Sequence, residues 1–188
     1  MRRAAAITLS CLLVAAGLAE DRNSKKKLQE LQRKLERRMA RASPTEVNSF
    51  LHQQSGALIE RAIKAKGSRY RCDRLARAAD DLLEASQRVF ESRERDDDDE
   101  DRSDAARRLE RTYFRVQQAD YFARQSRHKD GDAFIRHARA LYQQARTAYD
   151  QRDYPKADKL ADAAGKIVSA LERMAQAEVR VPDPPRLK

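Results

Sequence analysis

Apolar side chains recur along this chain every three or four positions and nowhere alternate in a sustained way with polar ones, a period that predicts helices and no sheet. From Lys25 to Ala42 the stripe is narrow, Leu28, Leu31, Leu35 and Met39, set among basic residues. Ser43-Pro44-Thr45-Glu46 predicts the next start, with Ser43 as cap, Pro44 in the first turn and Glu46 completing a capping box. That helix should run to about Lys66, burying Val47, Phe50, Leu51, Leu58, Ile59, Ala62 and Ile63, and stop at Gly67. Gly56, in its middle, should cost about 1 kcal/mol relative to Ala.

The third helix, about Ser68 to Arg95, has the cleanest pattern: Cys72, Leu75, Ala79, Leu82, Leu83, Ser86, Val89 and Phe90 on one side, Arg and Asp on the other. The run Asp96-Asp97-Asp98-Asp99-Glu100-Asp101 then repels itself and reads as a solvated linker. Ser103 is the expected cap of a helix from about Asp104 to His128, with Ala106, Leu109, Tyr113, Val116, Ala119, Phe122 and Ala123 inward. Asp130-Gly131-Asp132 breaks the pattern and supplies a new cap. A fifth helix, Ala133 to Asp150, carries Phe134, Ala138, Leu141, Tyr142, Ala145 and Tyr149. Asp153-Tyr154-Pro155 turns the chain into the last, ending near Glu178, with Ala157, Leu160, Ala161, Ala164, Ile167, Val168 and Leu171 inside. The expected fold is all-α, about six helices in an antiparallel bundle or stacked helical hairpins.

The two ends differ from this body. Arg2 and Arg3, an apolar run from Ala4 to Leu18 and small Gly17 and Ala19 have the form of a secretory signal cleaved after Ala19. The apolar run is shorter than the roughly 20 residues of a spanning helix. Residues 180–188, with Pro182, Pro184 and Pro185, form a non-helical tail. The predicted organisation is therefore residues 1–19 signal, 20–42 basic helix, 43–179 helical domain with linker 96–101, and 180–188 tail.

Charge and export act together on the functional reading. The net charge of +10 falls to +8 once the signal leaves, and a basic helical chain invites a nucleic-acid role. Export to the periplasm or beyond removes that partner. Cys11 departs with the signal and Cys72 stands alone, so no intramolecular disulfide forms in the mature chain; Cys72 reads as a small buried apolar residue, with an intermolecular bridge left open.

Residues 138–164 resemble half of a tetratricopeptide-like unit, through Ala145, Ala148-Tyr149, Asp153-Tyr154, Ala157, Ala161 and Ala164, and are similar to the alanine-rich hairpins of exported bacterial proteins. Arg152 stands where the turn glycine is usual, and no period near 34 residues recurs. The resemblance implies a hairpin that stacks on its neighbours and a peptide-binding concavity, and it carries no catalytic residue.

Motifs for chemistry are sparse. Counted from Asp96, an EF-hand would need Gly at the sixth place and Glu at the twelfth, where Asp101 and Arg107 stand. His128, Asp130, Asp132 and His137 are the metal-ligand candidates, at a spacing that matches no standard site. His52 lacks a partner nearby in sequence. There is no Gly-x-Ser-x-Gly elbow, haem-attachment motif or phosphate loop, so no catalytic residue and no cofactor is assigned. Two contact surfaces are expected: basic Lys25, Lys26, Lys27, Arg33, Lys34, Arg37, Arg38 and Arg41, suited to anionic lipid or an acidic partner, and Phe114 with Tyr121, which share a face. The chain is thus expected to be an exported, non-catalytic helical protein that binds or scaffolds a protein partner in the cell envelope. The alternatives are a periplasmic metal- or stress-linked protein and a peripheral binder of anionic membrane.

Overall fold

The computed structural model describes residues 22–41, 45–65, 68–93 and 102–179. These form six helices: α1 (Arg22–Arg41), α2 (Glu46–Lys64), α3 (Arg69–Glu91), α4 (Arg102–Ser126), α5 (Gly131–Asp150) and α6 (Tyr154–Glu178). The all-α expectation holds, and among the described residues there is no strand. The signal segment, Ser43, Pro44, Gly67, the acidic run 96–101 and the tail 180–188 lie outside the described residues.

Side-chain pairings give the helix directions. Along α2 and α3, His52 meets Ser86 and Ser55 meets Ala79, numbers that run oppositely and make the pair antiparallel. Arg71 to Glu178, Glu84 to Lys166 and Arg88 to Asp162 do the same for α3 and α6. By contrast, Lys27 pairs with Asp73 and Lys34 with Asp80, a ladder of seven-residue steps in which α1 runs parallel to α3. The six helices therefore alternate up and down. α1, α2 and α3 pack as one triad and α4, α5 and α6 as a second, joined chiefly through α3 against α6.

Alanine makes the central position of α6 possible. Ala157, Ala161, Ala163, Ala164, Ala170 and Ala177 are all buried, so α3, α4 and α5 approach α6 closely while Leu160, Ile167, Val168, Leu171 and Met174 fill the space between. At the join, the polar residue Asp81 sits buried on α3 and receives Arg173 Nε from α6. This corrects the expectation that the aspartates of α3 lie on its wet side.

Three starts and several stripe positions also need correction. Thr45, not Ser43, caps α2: its backbone is extended and its Oγ1 accepts from Asn48 N at 3.2 Å, leaving Glu46 in the first turn where a carboxylate suits the helix dipole. Ser103 lies inside α4, which starts at Arg102. Asp130 stands at the N-cap position of α5, but its carboxylate accepts from Gln54 Nε2 at 2.9 Å and caps nothing. Met39, Ile63 and Tyr113, expected inside, are exposed: Ile63 and Tyr113 fall at the edges of their stripes, and Met39 lies in the last turn of α1. Cys72 is half-buried and packs against the core.

Candidate functional site

α4 is built on a strict three-four alternation: Ala105, Leu109, Thr112, Val116, Ala119, Ala123 and Ser126 are buried, and Thr112 Oγ1 donates to Ala161 O of α6 at 3.2 Å. Side chains at seven-residue spacing on the opposite side must then point to solvent. That is where Phe114 and Tyr121 stand, 60% and 62% exposed. Tyr113, 45% exposed, adjoins them on the side toward α5; its ring lies 5.5 Å from Phe114 and 6.1 Å from Tyr142. The helix beneath is fixed by Arg115 to Glu172 and Arg108 to Asp158 and Asp162, each reaching α6.

The charge around these rings is mainly positive. Arg111 and Arg124 are exposed on α4, and among the described residues neither has an acidic partner; Arg111 Nε donates to Arg107 O at 3.3 Å. Arg146 is exposed one turn beyond Tyr142 on α5. The carboxylates nearby are mostly engaged, Asp104 by Arg107 and Asp120 by Arg139, and Glu110 is exposed. Tyr and Arg, with Trp, are the side chains enriched among those that dominate binding energy at protein interfaces, Tyr for its rigid flat surface with a polar end and Arg for its planar charged fork. Sequence reasoning found Phe114 and Tyr121 but placed Tyr113 inside; the signal was its offset of one from Thr112, which the strict alternation would have exposed.

The basic helix is drawn partly inward. Lys27 and Lys34 hold Asp73 and Asp80 of α3, and Arg38 is half-buried within the field of Asp80, Glu84 and Glu91. Lys25, Lys26, Arg33 and Arg37 face outward, with Arg37 Nε donating to Arg33 O. The Arg41 side chain lies outside the described residues. The face offered to an anionic surface is therefore narrower than the eight-residue expectation, because Leu28 and Leu31 seat the helix on the body and turn three of its cations toward carboxylates of α3.

His128, Asp130, Asp132 and His137 are not gathered into one cluster. His128 Nδ1 accepts from Asp130 N, and its ring packs edge-on against Phe134; Asp130 is taken by Gln54; Asp132 is exposed; His137 lies 4.6 Å from the Phe50 ring. Among the described residues no group of three or more His, Cys, Asp or Glu is placed to hold a metal ion. Burial holds both imidazoles below their ordinary range, His128 with help from Arg61 and His137 with help from Arg136.

His52, without a sequence neighbour, finds Ser86 across the core at 2.7 Å. Both side chains are closed from solvent, so the pair fastens α2 to α3. An open groove between α4 and α6 is lined by Asp104, Arg107, Arg108, Glu110, Arg111 and Asp158 and is largely neutralised by its own ion pairs. Among the described residues no helix is long and apolar enough to cross a membrane. No family model, curated protein or solved structure gives a significant match to the chain.

Proposed function

We propose that this chain is an exported, non-catalytic helical binding module of the cell envelope that holds a protein partner on the outer face of α4. Export rests on the amino-terminal pattern of Arg2, Arg3, the apolar run and Ala19. One observation carries the binding role: Phe114 and Tyr121 stand well exposed on a helix whose other side is locked into the core, with Tyr113 beside them. Rings that keep such exposure on a rigid support lose little conformational freedom when covered, which favours association.

A photo-crosslinking amino acid placed at Phe114 or Tyr121 in cells tests this, with exposed Gln53 on α2 as the reference position. Adducts of one discrete mass from both α4 positions and not from Gln53 are expected. Equal adducts from all three, or none, would sink the binding role. Amino-terminal sequencing of the mature protein from fractionated cells tests export separately, with Glu20 as the expected first residue.

A further inference from the structure

We propose that the occupant of the α4 face is an acidic amphipathic helix of a partner protein, an inference that rests on the binding reading above. Shape is the first argument. Phe114 and Tyr121 lie directly opposite the buried stripe, so they form a straight ridge in which the two side chains are about 10.5 Å apart. Two knobs at heptad spacing match the holes that one stripe of another helix presents.

Charge decides what kind of helix. Arg111 and Arg124 flank the ridge toward its two ends, thirteen positions or about 20 Å apart along α4, and both are without an acidic partner among the described residues. Arg146, exposed one turn beyond Tyr142, adds a third cation on the α5 side. A covering helix with carboxylates about three and a half turns apart, and apolar side chains between, would pair both ends while burying the rings. Glu110 is the exposed acid on this face that no Arg of α4 takes up, and it is outnumbered.

The same pattern disfavours a second copy of this chain. In an antiparallel two-fold pairing that stacks Phe114 on the other copy's Tyr121, position 111 faces position 124, which sets arginine on arginine. In-register parallel pairing sets each arginine on itself. The net charge, +8 once Arg2 and Arg3 leave with the signal, adds long-range repulsion between copies and attraction toward an acidic partner.

The test uses the mature chain and two synthetic helical peptides that share one leucine stripe, the first with Glu and the second with Lys at the flanking positions, titrated by fluorescence anisotropy. The Glu peptide should bind saturably and at least about tenfold more tightly than the Lys peptide, and its binding should weaken as salt is raised. Phe114→Ala/Tyr121→Ala should lose about tenfold or more while melting at the wild-type temperature, since exposed rings support little of the fold. Arg111→Glu/Arg124→Glu should reverse the preference between the peptides. Equal binding of both peptides, or no effect of the ring substitutions, overturns the proposal. So does binding to phosphatidylglycerol vesicles that needs Phe114 and Tyr121 while the Glu peptide fails, or a dimer that Phe114→Ala dissociates. Discrete crosslinks at Phe114 and Tyr121 with no Glu-peptide preference would leave the binding module standing and remove only the acidic helix; absence of both removes both.

Discussion

The Ser86 Oγ and the His52 Nε2 lie 2.7 Å apart across the α2–α3 interface, with both side chains closed from solvent. A histidine buried between two helices would be costly without such a partner. Its surroundings oppose a second proton: burial, first, and then the Arg38 guanidinium on α1 hold the imidazole below its ordinary value. Across the interface, α3 brings Asp80, Glu84 and Glu91 to Arg38 rather than to the ring itself.

Stability should therefore fall on mild acidification. His52, His128 and His137 are all held down, with burial the leading cause in each. In the unfolded chain they take up protons near pH 6.5. Below that pH the unfolded state binds more protons than the folded one, so the stability that neutral histidines contribute is complete above about pH 6.5 and is lost as pH falls toward the folded values. Asp81, whose carboxyl burial raises, acts with the opposite sign but closer to the carboxylate range. The melting temperature should drop between pH 7.5 and 5.5, and His52→Gln should flatten that drop. A flat wild-type profile across this window would contradict the assignment.

Asp81 and Arg173 predict a larger effect from one substitution. The Asp81 side chain keeps 9% exposure and Arg173 30%, so removal of the arginine leaves a carboxylate in a poorly hydrated site with Lys166 as the remaining nearby cation. Breaking a buried pair on one side costs about 3 kcal/mol, the lower end of the usual range because Arg173 is itself partly wet. Arg173→Met should lower the urea midpoint accordingly. Asp81→Asn combined with Arg173→Met should be less destabilised than Arg173→Met alone, because the stranded charge is gone.

What the sequence made legible follows from periodicity. The six helices and the outward Phe114 and Tyr121 depend on local spacing, which a linear reading captures, whereas the caps at Thr45, Ser68 and Asp153 emerge only in the structure. Pairings that depend on which helices meet were out of reach: His52 with Ser86, Asp81 with Arg173 and Asp130 with Gln54 span 34, 92 and 76 positions. Tyr113 was misplaced for a related reason. Whether an aromatic at a stripe's edge is covered depends on the neighbour's distance, and α5 offers Tyr142 at 6.1 Å rather than a closed wall.

The glycines among the described residues separate into two kinds. A Cβ added at Gly56 would meet Leu35 Cδ2 at 3.5 Å, and one at Gly165 would meet Thr112 Oγ1 at 3.6 Å, both ordinary contacts. At Gly131 it would stand 3.3 Å from Ala123 Cβ, in the close approach between the start of α5 and the end of α4. Gly56→Ala and Gly165→Ala should each stabilise by up to about 1 kcal/mol through helix propensity. Gly131→Ala should gain nothing or lose stability, because α4 and α5 must part slightly to admit it. Thermal melts of the three single variants separate these outcomes.

Arg152 offers the converse substitution. α5 ends with Arg152 N donating to Tyr149 O at 3.0 Å and Asp153 N to Ala148 O at 2.9 Å, the paired bonds of a Schellman turn, and Arg152 takes the left-handed position with φ of 64°. A side chain with a Cβ pays about 1 kcal/mol or more for that backbone, which glycine adopts freely. The Arg152 side chain is exposed and makes no ion pair among the described residues, so little offsets the strain. Asp153, which follows at once, caps α6 by accepting from Lys156 N, so the geometry of the turn also sets the start of the central helix. Arg152→Gly should raise the unfolding free energy by about 0.5–1 kcal/mol, with Arg152→Ala giving no comparable gain because alanine keeps the Cβ. If both variants were equally stabilised, loss of charge rather than relief of backbone strain would be the cause, and the left-handed turn at this position would lose its energetic meaning.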